Sequence, residues 1–326
     1  MKTKAMRIHE YGGPKQMLWE DIELLPPEPG EVQVRHQAVG LNYIDVYHRT
    51  GIYPTPELPC TLGMEGAGIV EAVAQDVSDL KPGDRVAYAS PPLGAYAEVR
   101  NIPAGRLVRL PDDIDFELAA AMMLQGMTAE YLLQRSYPVQ AGETVLFHAA
   151  AGGVGLIFCQ WAKHLGATVI GTVGSEEKAE LARTHGCDHT ILYRDEDVAS
   201  KVKEITDGRG VPVVYDGIGK DTWETSLNAL AMRGMMVSFG NASGKVPPVE
   251  LGSLTAHGSL YLTRPTLMNY TADTQELRDS ASALFGLVQS GVVRIEVNQR
   301  YPLAEAAKAH LALEARETTG STILTI

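Results

Sequence analysis

The alternation of apolar and polar residues changes period partway along the chain. Over the first 120 or so residues it is short and strand-like. Glu31-Val32-Gln33-Val34-Arg35 alternates as a half-buried strand should, after the structure-breaking run Pro26-Pro27-Glu28-Pro29-Gly30. Gly66 to Val73 and Asp84-Arg85-Val86-Ala87-Tyr88 predict two more strands. Between them Lys81-Pro82-Gly83-Asp84 predicts a turn, because proline presets φ and glycine accepts the unusual dihedral.

From about residue 116 the texture becomes helical, at Phe116–Met122 and Thr128–Leu133, and then strands and helices alternate. Thr144-Val145-Leu146-Phe147 is a continuous apolar run, followed by a glycine-rich turn and a helix over Leu156–Leu165. The pattern then predicts strands at Thr168–Val173, Thr190–Tyr193, Val211–Asp216 and Met235–Phe239, with helices at Glu176–His185 and Val198–Thr206. Apolar strands separated by helices predict a parallel sheet covered on both faces. The last 60 residues break this rhythm. They predict a helix over Thr274–Ser290, a strand near Val292–Tyr301, a helix over Leu303–Ala315 and a terminal strand Ser321–Leu324. Such a tail is expected to pack back on the first domain.

A chain of 326 residues suits two domains. Its 45% hydrophobic and 21% charged residues are ordinary globular composition. The net charge of −12 repels phosphodiester backbones and anionic lipid, which argues against nucleic acid or a membrane as main partner. No apolar run approaches the roughly 20 residues that span a bilayer. Three widely spaced cysteines, Cys60, Cys159 and Cys187, do not form a disulfide framework and fit a reducing, cytoplasmic setting.

The main chemical signal is Ala150-Ala151-Gly152-Gly153-Val154-Gly155 between a predicted strand and a predicted helix. Glycines there let the backbone turn tightly and let a pyrophosphate reach the helix N-terminus. The pattern predicts a dinucleotide site, with alanine in place of the first glycine of the usual fingerprint. An NAD site places an acid at the end of the next strand, to bind the ribose 2′-hydroxyl. Here the strand ends in Thr172-Val173-Gly174-Ser175, followed by Glu176-Glu177-Lys178. Ser175, Lys178 and Tyr193 supply donors suited to a 2′-phosphate, so the expected cofactor is NADPH. Two other readings stay open at this point: Glu176 and Glu177 suit a helix first turn, and Lys178 suits a solvated surface.

A catalytic zinc needs about three Cys, His or carboxylate ligands. The nine histidines form no HExxH motif and no paired cluster with cysteine, so no metal is expected.

Several blocks, in order, carry a family resemblance: Gly12-Gly13-Pro14, Gly40 to Asp45, Gly63-Met64-Glu65-Gly66-Ala67-Gly68, Lys81 to Val86, and His148 to Gly155. On these the chain resembles, along essentially its full length, the quinone oxidoreductase (zeta-crystallin-like) branch of the medium-chain dehydrogenase/reductase superfamily. The resemblance implies an α/β fold: a GroES-like β-rich domain (1–125), a doubly wound parallel Rossmann sheet (126–266), and a C-terminal return to the first domain (267–326). Zinc enzymes of that superfamily carry a histidine where this chain has Met64 and a cysteine near Asn42. The resemblance thus also implies a zinc-free site.

By the same resemblance Asn42, Tyr47 and Tyr53 would line the nicotinamide and substrate cleft, with Tyr131 near the cofactor. Gly152, Gly153 and Val154 would hold the pyrophosphate, and Gly174, Ser175, Lys178, Tyr193 and Arg316 the adenosine 2′-phosphate end. Phe239, Gly240 and Asn241 would bracket the nicotinamide, and Ile218 would also contact the cofactor. Tyr47 and Tyr53 also read as ordinary half-buried aromatics, and Arg316 as a helix C-terminal cation. The segment Gly258 to Arg264 resembles an edge strand that pairs with its twin in a homodimer. The activity implied is hydride transfer from NADPH to quinones or related conjugated carbonyls, with no residue singled out as catalytic. The alternatives are an enoyl or alkenal reductase of the superfamily and a non-enzymatic NADPH-binding protein.

Overall fold

The computed structural model describes residues 1–326, which fall into two units. One comprises Met1–Met127, Thr271–Gln289 and Ile295–Ile326; the other comprises Thr128–Tyr270 with Ser290–Arg294.

The short alternating runs of the first unit build mostly antiparallel sheet. Its larger sheet has the order Val297–Pro302, Ser321–Thr325, Glu31–Leu41, Glu65–Val73, Arg85–Ala89, Val108–Arg109, and Val99–Pro103 also pairs with Glu31–Leu41. The strand expected over 31–35 runs on to Leu41, with shifts of register at Gln33/Val34 and His36/Ala38 that keep its apolar residues inward. A smaller sheet joins Leu18–Glu23, Lys2–Ile8 and Cys60–Thr61. Met6, Ile8, Val32, Val34, Leu62, Tyr88 and Tyr96 pack into one core with Leu303, Ala306 and Leu324 from the C-terminal segment. Ser321–Thr325 pairs antiparallel with Ala38–Leu41, which accounts for the break in rhythm near the end of the sequence.

Two expected elements of the tail start later. The strand begins at Val297 rather than Val292, and the helix spans Ala306–Glu314 after a single 3-10 turn. The first shift is caused by a residue distant in sequence. Gln160 takes up the Arg294 backbone on both sides, accepting from its N–H at 2.9 Å and donating to its carbonyl at 2.9 Å. That backbone is therefore unavailable to a sheet.

The second unit is a six-stranded parallel sheet. Its order is His189–Leu192, Thr168–Val173, Thr144–His148, Val211–Asp216, Leu230–Ser238, Tyr261–Thr263. Counted within the unit this is 3-2-1-4-5-6, the doubly wound order, which reverses between Thr144–His148 and Val211–Asp216. Leu146, Ile170, Ile191, Val214 and Met236 are fully buried in its core, each worth about 1.5–3 kcal/mol relative to exposure. The edge strand is shorter than the 258–264 read from sequence. Gly258 and Ser259 have φ of 108° and 59°, outside extended geometry, and Pro265 lacks an N–H, so only Tyr261–Thr263 pairs.

Candidate active site

In the second unit the expected dinucleotide turn joins Thr144–His148 to the helix Gly153–His164. The left-handed residue is Ala149, with φ of 60°, and not one of the glycines expected to make the turn. Its conformation is held from the neighbouring strand: Thr172 Oγ1 accepts from Ala149 N at 3.2 Å and the Thr172 carbonyl from Ala150 N at 3.1 Å. The glycines supply space instead. A Cβ on Gly155 would stand 2.6 Å from both the Ala149 and Ala150 carbonyl oxygens, so only glycine lets the helix start this close to the strand. Gly152 occupies the N-cap with no side-chain cap, and no acidic residue lies in the first turn. The first-turn N–H groups therefore face no competing side chain, and the macrodipole adds positive potential there.

The order reversal of the sheet lies beside this turn. After Val211–Asp216 the carboxylate of Asp216 organises the loop. Its Oδ1 accepts from Ile218 N (2.7 Å) and Gly219 N (3.0 Å), and its Oδ2 from Thr222 Oγ1 (2.7 Å) and Ser226 Oγ (3.0 Å). Ser226 in turn meets His148 Nε2 at 3.0 Å, and His148 Nδ1 meets Thr172 Oγ1 at 3.0 Å. Burial pushes the His148 pKa down, which favours the neutral ring that bridges these hydroxyls. The loop after the next strand is zipped to this one: Phe239 N donates to the Asp216 carbonyl, Ala242 N to Gly217 and Ser243 N to Ile218. Gly240 lies against the Gly217 backbone too closely for any Cβ. Ile218, Phe239, Gly240 and Asn241 are thus brought together in one double loop. Sequence reading passed over Asp216 and His148, which hold it.

At the end of Thr168–Val173, Gly174 packs against Tyr193, where a Cβ would stand 2.8 Å from the phenol oxygen. Ser175 is the N-cap of the helix Glu176–Thr184, its Oγ accepting from Lys178 N at 3.3 Å. Gly174, Ser175, Lys178 and Tyr193 therefore form one patch, with no carboxylate at the strand's final position. Glu176 is paired with Arg183 at 2.5 Å. Tyr131 is buried and stacked on Tyr270, ring centroids 4.5 Å apart at 10°.

In the first unit Asn42 is the N-cap of the helix Tyr43–Thr50: Asp45 Oδ2 accepts from Asn42 N at 2.9 Å, while the Asn42 carboxamide makes no cap hydrogen bond and turns to Glu65 and Gln125. The Asn42-x-x-Asp45 spacing marks such a helix start and was open to sequence reading. Tyr47 and Tyr53 meet edge-on with centroids 5.1 Å apart, and Tyr43 lies 5.7 Å from Tyr47. Arg316 follows the helix Ala306–Glu314 with φ of 62°, and with Glu314 and Arg49 it acts electrostatically on Tyr43. Behind Asn42 lies a buried carboxylate, Glu65, whose Oε2 accepts from Asn42 Nδ2 at 2.6 Å and whose Oε1 accepts from Leu124 N at 2.8 Å. Burial, opposed by the Asn42 N–H, raises the Glu65 pKa to about 8, and burial raises that of Asp45 to about 7. Met64 is buried beside them, and nowhere in the chain do three His, Cys, Asp or Glu side chains gather as a metal-binding group.

A Rossmann-ordered sheet with an uncapped glycine turn, joined in one chain to a β-rich unit, defines the architecture of a dinucleotide-binding oxidoreductase. Comparison with known proteins narrows this. The family described as zinc-binding dehydrogenase matches residues 153–283, and the alcohol dehydrogenase GroES-like domain matches residues 28–112. A quinone oxidoreductase of Pseudomonas aeruginosa is 58% identical over 322 residues, 99% of each chain. A 2-haloacrylate reductase of a Burkholderia species is 47% identical, covering 98% of each. The crystal structure of Escherichia coli quinone oxidoreductase complexed with NADPH is 49% identical and superposes with a TM-score of 0.98, over 99% of this chain and 100% of that one. The chain belongs to the quinone oxidoreductase family, a zinc-free branch of the medium-chain dehydrogenase/reductase superfamily.

Proposed function

We propose that this chain is an NADPH-dependent quinone oxidoreductase that passes hydride to quinones or related conjugated carbonyls without a metal. The observation that carries the cofactor assignment is the patch at Gly174, Ser175, Lys178 and Tyr193, with donors and no carboxylate at the strand end, in the same unit as the uncapped turn at Gly152. The quinone assignment draws on relatives of that name at 58%, 51% and 50% identity.

The residues present fit the cofactor. The cradle at Gly152–Gly155 is open where side chains would intrude, and the first-turn N–H groups of the helix Gly153–His164 suit a diphosphate. Gly152, Gly153 and Val154 would hold that diphosphate. Gly174, Ser175, Lys178 and Tyr193 would hold the adenosine 2′-phosphate end, joined by Arg316. Phe239, Gly240 and Asn241 would bracket the nicotinamide ring, with Ile218 and Tyr131 beside the cofactor. Bound NADPH supplies the hydride. Asn42, Tyr47 and Tyr53 would orient the acceptor, and such positioning is the larger part of what hydride transfer to an electron-poor ring requires. Besides the hydride, reduction of a quinone to its hydroquinone consumes one proton, which solvent or a tyrosine hydroxyl can deliver, and no side chain is assigned as an obligatory acid.

The domain assignment adopted with this reading is catalytic 1–125, cofactor-binding 126–266 and a C-terminal return 267–326. A homodimer through 258–264 is part of the same proposal. Tyr261 and Leu262 are 61% and 41% exposed on that edge, an apolar surface suited to pairing with a second copy. No helix is long and apolar enough to cross a membrane, and a cytoplasmic location is proposed.

The relative named 2-haloacrylate reductase favours a second reading, reduction of activated alkenes. Steady-state oxidation of NADPH with a panel of small quinones and of enones separates the two. Turnover on quinones supports the first reading, turnover confined to enones the second. Tight NADPH binding without turnover on either would leave a binding protein.

A further inference from the structure

The buried amides behind Asn42 contain a hydrogen-count conflict. As oriented, Asn42 Nδ2 donates to Glu65 Oε2 at 2.6 Å and Gln125 Nε2 donates to Asn42 Oδ1 at 3.3 Å. Ser321 Oγ then stands 2.7 Å from Gln125 Oε1 and 2.8 Å from the Ala121 carbonyl. Both are acceptors, and a hydroxyl has one hydrogen to donate. One short contact is left without a hydrogen, and all four residues lie at 9% exposure or less.

Interchanging O and N in both carboxamides removes the conflict. Ser321 then donates to the Ala121 carbonyl and accepts from Gln125 Nε2. Gln125 Oε1 accepts from Asn42 Nδ2, and Asn42 Oδ1 faces Glu65 Oε2. That last contact needs a hydrogen, and only a protonated Glu65 supplies it. The network therefore has two arrangements: with Glu65 ionised, Asn42 Nδ2 faces it and Ser321 is left between two acceptors; with Glu65 protonated, every contact has its hydrogen. Asn42 presents its spare N–H and its spare lone pair at exchanged positions in the two. Gly40 makes the arrangement sterically accessible, because a Cβ there would collide with the Glu65 carboxyl.

We propose that Glu65 and Gln125 are positioning residues of the substrate cleft: they fix which way the Asn42 carboxamide faces, and the proton on Glu65 selects between its two orientations. The inference rests on the reading above that Asn42 lines the cleft. Other ionisable groups surround Glu65. Asp45 reaches it from the helix Tyr43–Thr50, Tyr88 from the strand Arg85–Ala89 and Tyr96 from the segment beyond, while His36 and Arg100 flank Tyr88 and Arg49 acts on Tyr96. Burial, with Asp45 adding to it, holds Glu65 in its acid form below about pH 8.

The test is the pH profile of kcat and KM for a small quinone at saturating NADPH, in the wild type and three variants. Wild-type kcat is expected to pass between two plateaus with a midpoint near 8, the value to which burial raises Glu65. Glu65→Gln copies the acid form, because its Nε2 donates to Asn42 Oδ1 while Oε1 still accepts from Leu124 N. It is expected to hold the low-pH plateau throughout. A Glu65→Gln enzyme that keeps the midpoint, or a wild type without one, overturns the proposal. Gln125→Met nearly preserves volume and frees the Asn42 amide. It is expected to keep the midpoint, lower kcat about fivefold and leave KM within about twofold, as loss of one orienting hydrogen bond should. Unchanged kcat in that variant overturns the proposal as well. Asn42→Ala separates the two levels. Wild-type turnover there removes Asn42 from the cleft and the proposal with it, whereas impaired turnover together with a retained midpoint in Glu65→Gln sinks the proposal alone.

Discussion

Replacing Gly155 by alanine probes the dinucleotide turn with one carbon atom. The added Cβ would lie 2.6 Å from the carbonyl oxygens of Ala149 and Ala150 and 2.7 Å from the Ala150 carbonyl carbon. Ordinary contact begins at 3.4 Å, so the helix start must retreat by about 0.8 Å (3.4 − 2.6), and every atom in its way is backbone. Overpacking of this kind costs about 1–3 kcal/mol. Against it stands the helix preference of alanine over glycine, about 1 kcal/mol. Gly286 isolates that second effect. It lies in the helix Thr274–Gln289, and a Cβ on it would have no neighbour within 4 Å. Gly286→Ala is expected to stabilise by up to about 1 kcal/mol, and Gly155→Ala to fall about 1–3 kcal/mol below it, the difference being the clash alone. Calorimetric melting of the two variants reads this as a separation on the order of 2–4 °C per kcal/mol. NADPH titration should show weaker binding for Gly155→Ala only. If the two variants melt together and bind NADPH alike, the close approach of helix and strand is not what the glycine is for.

Two further perturbations test the ends of the site. Lys178→Ala should weaken NADPH by about 10- to 100-fold, the worth of one hydrogen bond to a charged group, and leave NADH nearly unaffected; equal losses for both cofactors would remove Lys178 from the 2′-phosphate. His310 is held neutral: its Nδ1 accepts from Arg49 at 3.1 Å and its Nε2 donates to Tyr96 at 3.0 Å, while burial, followed by the Arg49 charge, pushes its pKa down to about 3. Because the folded value lies below the ordinary histidine value of 6.5, the ring takes up a proton on unfolding. The stability it supports is intact above about 6.5 and drains away as pH falls towards about 3. His310→Asn should therefore lose stability less steeply than the wild type over that window in urea melts, and parallel slopes would contradict the assignment.

Much of the fold was legible because its elements obey their local periods. Thr144–Phe147 and Val211–Asp216 read as continuous apolar runs because both faces of a parallel strand are buried. The helix Tyr43–Thr50 was missed because eight residues give little periodicity, although Asn42 and Asp45 announce its cap. The late start of Val297–Pro302 depends on Gln160, 134 residues away from Arg294, and no window of sequence contains both. Within the site the glycines and Gly174-Ser175-Lys178 were readable as composition. The residues that hold them were not: Asp216, His148, Glu65 and Gln125 act through hydrogen bonds to partners that only the folded chain brings near. Ala149 was unreadable for another reason. Alanine carries no mark of a left-handed backbone, which Thr172 on the adjacent strand imposes.

Metal-independent hydride transfer from NADPH to a quinone is tested by the steady-state rate of quinone-dependent NADPH oxidation, measured against NADH, with enzyme before and after exhaustive chelation. Saturable quinone reduction, a higher kcat/KM with NADPH than with NADH, and the same rate after chelation are expected. A rate no greater than the uncatalysed one, a preference for NADH, or loss of activity on chelation restored by zinc would contradict it.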